Sequence, residues 1–178
     1  MKNTYILTYF LLFILTSCST SKPESFKRSG SALDPINFFD GHTHSTGVLE
    51  ARNGKPTEQI TTQTSGVYDK GVLRIEQELF YPDNGKRKHR TFELKLIDAH
   101  HLEGTGSDIR GRAKGELYGN YFTWRYRLKI ADKGIVRHVN ITQHMYRMPD
   151  GKTLIIRSLV RKFGIVVKEI TEQFYKDD

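Results

Sequence analysis

His42 and His44 are the residues whose type and spacing best fit a metal site. Side chains two positions apart in an extended strand lie on one face, about 6.5 to 7 Å from each other, which suits two zinc ligands. Zinc requires at least one more histidine or carboxylate, and His144 or Glu50 could supply it. Because no spacing identifies that third ligand, the sequence favours surface histidines over a metal site. It predicts no metal and no cofactor.

Other polar residues lack the partners that catalysis needs. His100 and His101 are adjacent and would point to opposite faces of a strand, whereas a general base needs a partner within hydrogen-bond distance. Ser107 and Asp108 lie in a glycine-rich stretch without the G-x-S-x-G turn that presents a nucleophilic serine. The sequence therefore predicts no catalytic residues and favours a protein that is not an enzyme.

Large apolar side chains recur at every second position of residues 121–130. Phe122, Trp124 and Tyr126 share one face of this run, and Phe92 belongs to a second run of the same kind. These four residues form either the wall of a cavity for an acyl chain or similar ligand, or an ordinary barrel core.

Arg157 interrupts a run that is otherwise nearly all apolar. A cation there must form an ion pair, stack on an aromatic ring or meet a charged ligand head group, so Arg157 is a further ligand-binding candidate. Alternation along the strand equally permits a position on the outer face beside Arg161, and this second position is favoured.

These residues must be positioned by β-strands, because apolar and polar residues alternate along most of the chain. Turn signals such as Asn53-Gly54 and Asp150-Gly151 separate the runs. The pattern gives about nine or ten strands and no amphipathic segment long enough for a long helix. A sheet of so many hairpins removes its exposed edges by closing. The predicted fold is all-β: an antiparallel up-and-down β-barrel of the lipocalin or calycin kind, with a two-sheet sandwich as the alternative.

One short helix is predicted within residues 33–41. Asp34 suits the N-cap and Pro35 the first helical position. The two phenylalanines that follow require burial, so we expect the helix to pack over an opening in the domain. Glycines are concentrated in residues 104–119, and this stretch is predicted to be the place where the sheet coils most tightly.

Cys18 is the single cysteine of the chain, so no disulfide can form within it. It follows Lys2 and a short apolar segment, which is the layout of an export signal and too short for a membrane-spanning helix. Leu15-Thr16-Ser17-Cys18 resembles the bacterial lipobox, whose cysteine receives diacylglycerol and becomes the first residue after cleavage. Lipidation of Cys18 is therefore expected, and it would anchor the chain in a membrane.

This anchor predicts the domain organisation and the location. Residues 1–17 are the signal peptide, residues 18–32 the lipidated cysteine and a flexible tether, and residues 33–178 the barrel. Ser19 favours passage to the outer membrane in two-membraned bacteria, with the domain in the periplasm. The formal charge of +8 could indicate nucleic acid, which an exported lipoprotein seldom meets. Attraction to anionic lipid head groups fits better, and a well-solvated surface is the simpler explanation.

Four short motifs together resemble an uncharacterised family of bacterial lipoproteins, domain of unknown function 3833. They are Phe38-Phe39-Asp40-Gly41 with Gly47, the glycines of residues 104–119, Trp124 with Tyr126, and Lys162-Phe163-Gly164. The resemblance extends over residues 33–175 and implies a lipocalin-like barrel on a lipid anchor, without an established activity. Residues 142–146 depart from the family's acidic pair, so no role is transferred to them.

These patterns predict a membrane-anchored lipoprotein whose barrel binds or shields a hydrophobic, lipid-like ligand in the periplasm without catalysis. Two other functions remain open. One is an envelope enzyme of lipid modification that uses His42, His44 or His144. The other is a structural accessory whose basic outer face docks partner proteins or lipid head groups.

Overall fold

Ten antiparallel strands form a closed barrel in the computed structural model, which describes residues 23–26, 32–130 and 138–177. The strands are β1 (Gly41–Ala51), β2 (Pro56–Asp69), β3 (Val72–Tyr81), β4 (Lys86–Leu96), β5 (His101–Gly106), β6 (Ile109–Tyr118), β7 (Tyr121–Lys129), β8 (His138–Arg147), β9 (Thr153–Lys162) and β10 (Ile165–Lys176). Each strand pairs with the next in sequence, and β10 pairs with β1 to close the barrel. The predicted up-and-down barrel is confirmed, and the sandwich is not observed.

Alternation of side chains follows the predicted pattern. In β7, Phe122, Trp124 and Tyr126 are buried inside the barrel, while Arg125 and Arg127 are exposed outside it. An antiparallel strand with one face on the core and one in water has this pattern. The register of the aromatic residues is therefore fixed by burial, since a slip by one residue would turn the arginines inward.

A helix, α1 (Pro35–Phe39), closes one end of the barrel. Asp34 is its N-cap, and the Oδ1 atom of Asp34 accepts a hydrogen bond of 3.1 Å from the backbone N–H of Asn37. Phe38 and Phe39 are buried, which confirms that the helix packs over an opening. A Cβ atom on Gly66 would lie 1.7 Å from the carbonyl oxygen of Phe39, so glycine is required for this close approach.

The two ends of the barrel therefore differ. The capped end carries α1 and the turns that join β2 to β3, β4 to β5, β6 to β7 and β8 to β9. The opposite end, here called the mouth, carries the turns at residues 52–55, 82–85, 107–108 and 163–164. No helix in the described ranges is long and apolar enough to cross a membrane.

Glycines of residues 104–119 make close contacts within the barrel, while the tight coiling expected there stays a prediction. Gly104 and Gly115 leave room for large rings, because a Cβ atom on Gly104 would lie 3.1 Å from Trp124 and one on Gly115 would lie 2.4 Å from Phe122. Gly111, with a φ of +76°, lies where the register between β6 and β7 shifts. Gly104 and Gly115 therefore admit aromatic side chains into the barrel.

The N-terminal predictions fall largely beyond what the structure describes. Cys18 and the signal peptide at residues 1–17 lie outside the described residues. Within the expected tether, a short 3-10 turn at Pro23–Phe26 contacts β6 and β7.

Candidate luminal site

A cavity lies inside the barrel, between α1 and the mouth. Its empty space is about 640 Å³, which includes solvent at the opening, and about 70 Å³ of this is accessible to the centre of a water molecule. The four predicted aromatic residues, Phe92, Phe122, Trp124 and Tyr126, all line it. The other lining residues are Phe39, Thr62, Ile75, Gln77, Leu79, Arg90, Leu94, Gln143, Met145, Ile156, Glu172 and Phe174. The placement of the aromatic residues agrees with a cavity wall, and their binding of a ligand stays a prediction.

Polarity changes along the barrel axis. In β4, Phe92 lies nearer the capped end and Arg90 nearer the mouth. In β10, Phe174 and Glu172 repeat this order. The cavity therefore has an apolar floor towards α1 and a polar level above it, and the buried Leu49, Ile60 and Leu79 lie between that level and the mouth. An amphipathic molecule is complementary to such a gradient.

Arg90 is held in a buried ion pair with Asp108, which lies in the turn between β5 and β6. The Nε atom of Arg90 is 2.8 Å from Oδ2 of Asp108, and only 11% and 13% of the two side chains are exposed. Nη2 of Arg90 donates a hydrogen bond of 3.2 Å to Oδ1 of Asp108. The Nζ atom of Lys88 also donates to Oδ2, at 2.7 Å. One carboxylate thus faces two cations.

The protonation of this cluster follows from its charges. Burial alone would raise the pKa of Asp108, but Arg90 and Lys88 outweigh it and hold that pKa below its ordinary value. Burial alone would lower the pKa of Arg90, but Tyr126 and Asp108 raise it above its ordinary value. Asp108 and Arg90 are therefore both charged at neutral pH.

Aromatic rings fix the position of the Arg90 guanidinium. Its Cζ atom lies 4.6 Å from the ring centre of Phe92 and 5.9 Å from that of Tyr126. Nη2 donates a 3.4 Å hydrogen bond to the hydroxyl of Tyr126. Among the described residues, none accepts a hydrogen bond from Nη1 of Arg90. The guanidinium is thus rigidly placed and retains free donors at a residue that lines the cavity.

Glu172 is the second acidic group at the polar level. Its Oε1 atom accepts hydrogen bonds from the hydroxyls of Ser45, at 3.0 Å, and Thr62, at 3.1 Å. Gly47 faces Glu172 across the β1–β10 ladder, and a Cβ atom there would lie 2.6 Å from Cγ of Glu172. Burial raises the pKa of Glu172 despite these hydrogen bonds and the charge of Arg90, so the protonated form is more stable here than in an exposed glutamate.

The three candidate metal ligands do not come together. His42 and His44 lie on the outer face of β1, and Nδ1 of His44 is 2.6 Å from Oδ1 of Asp177. His144 lies on the outer face of β8, where its Nδ1 is 2.6 Å from the hydroxyl of Tyr121. In the part of the chain that the structure describes, no three His, Cys, Asp or Glu side chains could hold a metal ion.

Arg157 is corrected as a candidate for the ligand site. It lies on the outer face of β9, and its Nη2 atom is 2.6 Å from Oε2 of Glu169. Alternation explains the position, because the neighbours Ile156 and Ser158 point inward and are buried. Arg157 therefore does not stack on Trp124, and Arg90 is the arginine that lines the cavity.

Residues 12–176 match the family described as "Protein of unknown function (DUF3833)". The chain belongs to this family. The resemblance found in the sequence motifs is therefore confirmed for the family. No curated protein is similar to this DUF3833 chain in sequence.

Two solved barrels are similar in fold to this DUF3833 protein. One is the S-type phycobiliprotein lyase CPES from Guillardia theta, with a TM-score of 0.60, 10% identity, and coverage of 89% of this chain and 99% of that chain. The other is Rv2717c from M. tuberculosis, with a TM-score of 0.57, 14% identity, and coverage of 82% and 99%. At such identities the likeness shows the shared barrel fold alone.

Arg90, Asp108 and Glu172 are the site residues of the DUF3833 barrel that sequence reasoning missed. The sequence did contain a signal for Arg90. Its position is two residues from Phe92 and four from Leu94 in β4, so its side chain lies on the same, inward face of the strand. Glu172 is likewise two residues from Phe174 in β10 and lies on the same face as Phe174. Asp108 carried no such signal, because it belongs to a turn.

Proposed function

We propose that this protein binds one hydrophobic or amphipathic molecule in the barrel lumen and holds it beside a bacterial membrane without chemical change. The observation that carries the proposal is the luminal cavity, with its aromatic floor and its polar level at Arg90 and Glu172. Buried charges are costly in a barrel core, so a purely structural lumen would be expected to be apolar.

The size of the cavity limits what can enter. About 70 Å³ accessible to water centres holds about five water-sized groups, at 10 to 15 Å³ each. Ligand pockets are commonly 300 to 1,000 Å³, so a longer molecule must displace side chains. Met145 lines the cavity and has the flexibility to do so. The proposed ligand is therefore slender, with a single chain rather than a fused ring system.

The proposal places the barrel in the periplasm, attached to the outer membrane by lipidated Cys18. The lipobox-like sequence before Cys18 supports this location. An anchored barrel can exchange a slender lipid with the adjacent membrane over a short distance.

Native mass spectrometry of the full chain tests the proposal. The chain is extracted from bacterial membranes into polymer-bounded discs and then released in the spectrometer. We expect a lipid-like molecule on the released chain at a stoichiometry of one. Recovery of the chain without any bound molecule, from cells and after incubation with total membrane lipids, would contradict lumen binding.

A further inference from the structure

Two cations share one carboxylate at the polar level of the lumen. Lys88 and Arg90 both interact with Asp108, so the cluster has a net charge of +1. Towards the mouth, Lys168 and Glu58 form a separate ion pair at 3.3 Å, which does not change the net charge. An excess charge in a partly desolvated lumen attracts an anion more strongly than the same charge in water.

Free hydrogen-bond donors accompany this charge. Nη1 of Arg90 has no acceptor among the described residues, and the planar guanidinium matches the geometry of a carboxylate. Oε1 of Glu172 already accepts two hydrogen bonds, whereas Oε2 has no partner in the described part of the chain. When Glu172 is protonated, Oε2 is available as a hydrogen-bond donor at a residue that lines the cavity.

We infer that the ligand is an amphiphile with a single carboxylate head group, bound at Arg90 with its chain towards the apolar floor. This inference rests on the proposed function of the lumen and specifies its ligand class. The carboxylate accepts hydrogen bonds from Arg90 and from the acid of Glu172, and it neutralises the excess charge of the Lys88–Arg90–Asp108 cluster. The chain then lies among Phe122, Trp124 and their neighbours.

Paired probes of equal chain length separate the head group from the chain. Octanoate and octanol are each measured by equilibrium dialysis against the full chain in phosphatidylcholine nanodiscs, with empty nanodiscs as the blank. We expect octanoate to bind at least about tenfold more tightly than octanol, which is the scale of one charged hydrogen bond. Equal affinity, or tighter binding of octanol, would overturn the inference.

Lys88→Gln removes the excess charge without leaving Asp108 unpaired, because Arg90 remains beside it. Lys88 is 36% exposed, so the variant is expected to fold. Affinity for octanoate should fall about threefold to tenfold, whereas affinity for octanol should not change. Lys95→Gln removes an equal charge from the outer face of β4 and is the matched control. Equal losses in the two variants would attribute the effect to overall charge and contradict a luminal head-group site.

Glu172→Gln supplies an amide donor in place of the neutral acid. We expect it to retain octanoate binding within about twofold, since a hydrogen-bond donor is preserved. A loss similar to that of Lys88→Gln would contradict hydrogen-bond donation by a protonated Glu172. If neither probe binds and native spectra show no lipid, the proposed function fails. If both probes bind equally, only the carboxylate inference fails.

Discussion

Removal of one partner of the Arg90–Asp108 pair should cost far more stability than removal of one partner of an exposed pair of similar length. Asp108→Asn removes the negative charge that Arg90 and Lys88 share, while it keeps an oxygen acceptor in place. The comparison variant is Glu169→Gln, which neutralises the partner of Arg157 on the outer face. The closest atoms of the two pairs are 2.8 Å and 2.6 Å apart, so distance does not distinguish them.

Burial does distinguish them. The side chains of Arg90 and Asp108 are 11% and 13% exposed, against 55% and 30% for Arg157 and Glu169. Removal of one partner of a buried pair costs about 3 to 5 kcal/mol, and an exposed pair contributes about 0 to 1 kcal/mol. Because asparagine keeps an acceptor, we expect about 3 kcal/mol for Asp108→Asn. For a chain of this size that lowers Tm by about 6 to 12 °C.

Trp124 provides the assay, because it is the single tryptophan and lies in the barrel interior. Its fluorescence is followed during thermal and urea unfolding of the full chain and both variants. Glu169→Gln should change the free energy of unfolding by less than about 1 kcal/mol. If both variants lose the same amount, burial does not strengthen the Arg90–Asp108 pair and the electrostatic description of the lumen is wrong.

Three further predictions follow from the fold, the cavity and the anchor. Burial raises the pKa of Glu172. The contribution of Glu172 to stability is therefore fully present below the ordinary glutamate pKa, and it is lost as pH rises through the raised pKa. Glu172→Gln should remove that loss. Thermal scans from pH 4 to pH 8 in which Tm depends on pH equally in the unsubstituted chain and in the variant would contradict the prediction. Gly66→Ala should displace α1 from the capped end, lower stability by at least about 2 kcal/mol and increase binding of a hydrophobic dye, unlike Ser65→Ala. Cys18→Ser should abolish incorporation of labelled palmitate, and persistent labelling would refute lipidation at Cys18.

The aromatic wall could be predicted because its information is local. Alternation within β7 and β4 shows which side chains share a face, and burial of one face follows from their apolar character. The short helix could be predicted for the same reason, since Asp34 and Pro35 act on adjacent residues.

The polar level could not be assembled from the sequence, because it depends on closure. Glu172 of β10 and Arg90 of β4 share the lumen only when β10 pairs with β1. Asp108 reaches Arg90 across β5, from a turn with no periodicity. Polar residues at inward positions also break the binary pattern, and such breaks occur where function requires them.

The histidines illustrate the opposite case, in which correct local reasoning does not produce a site. His42 and His44 share a face of β1, as their spacing indicates. His144 lies in β8, and β9 and β10 separate these strands in the sheet. Sequence spacing alone contains no information about that separation.

Quenching of Trp124 by a brominated ligand tests lumen binding most directly. 8-Bromooctanoate carries its bromine at the chain end, which should lie on the apolar floor within contact of the indole. The account predicts saturable quenching with one ligand per chain, which unlabelled octanoate reverses by competition. Saturable binding of 8-bromooctanoate with no quenching of Trp124 would place the ligand outside the barrel and contradict the account.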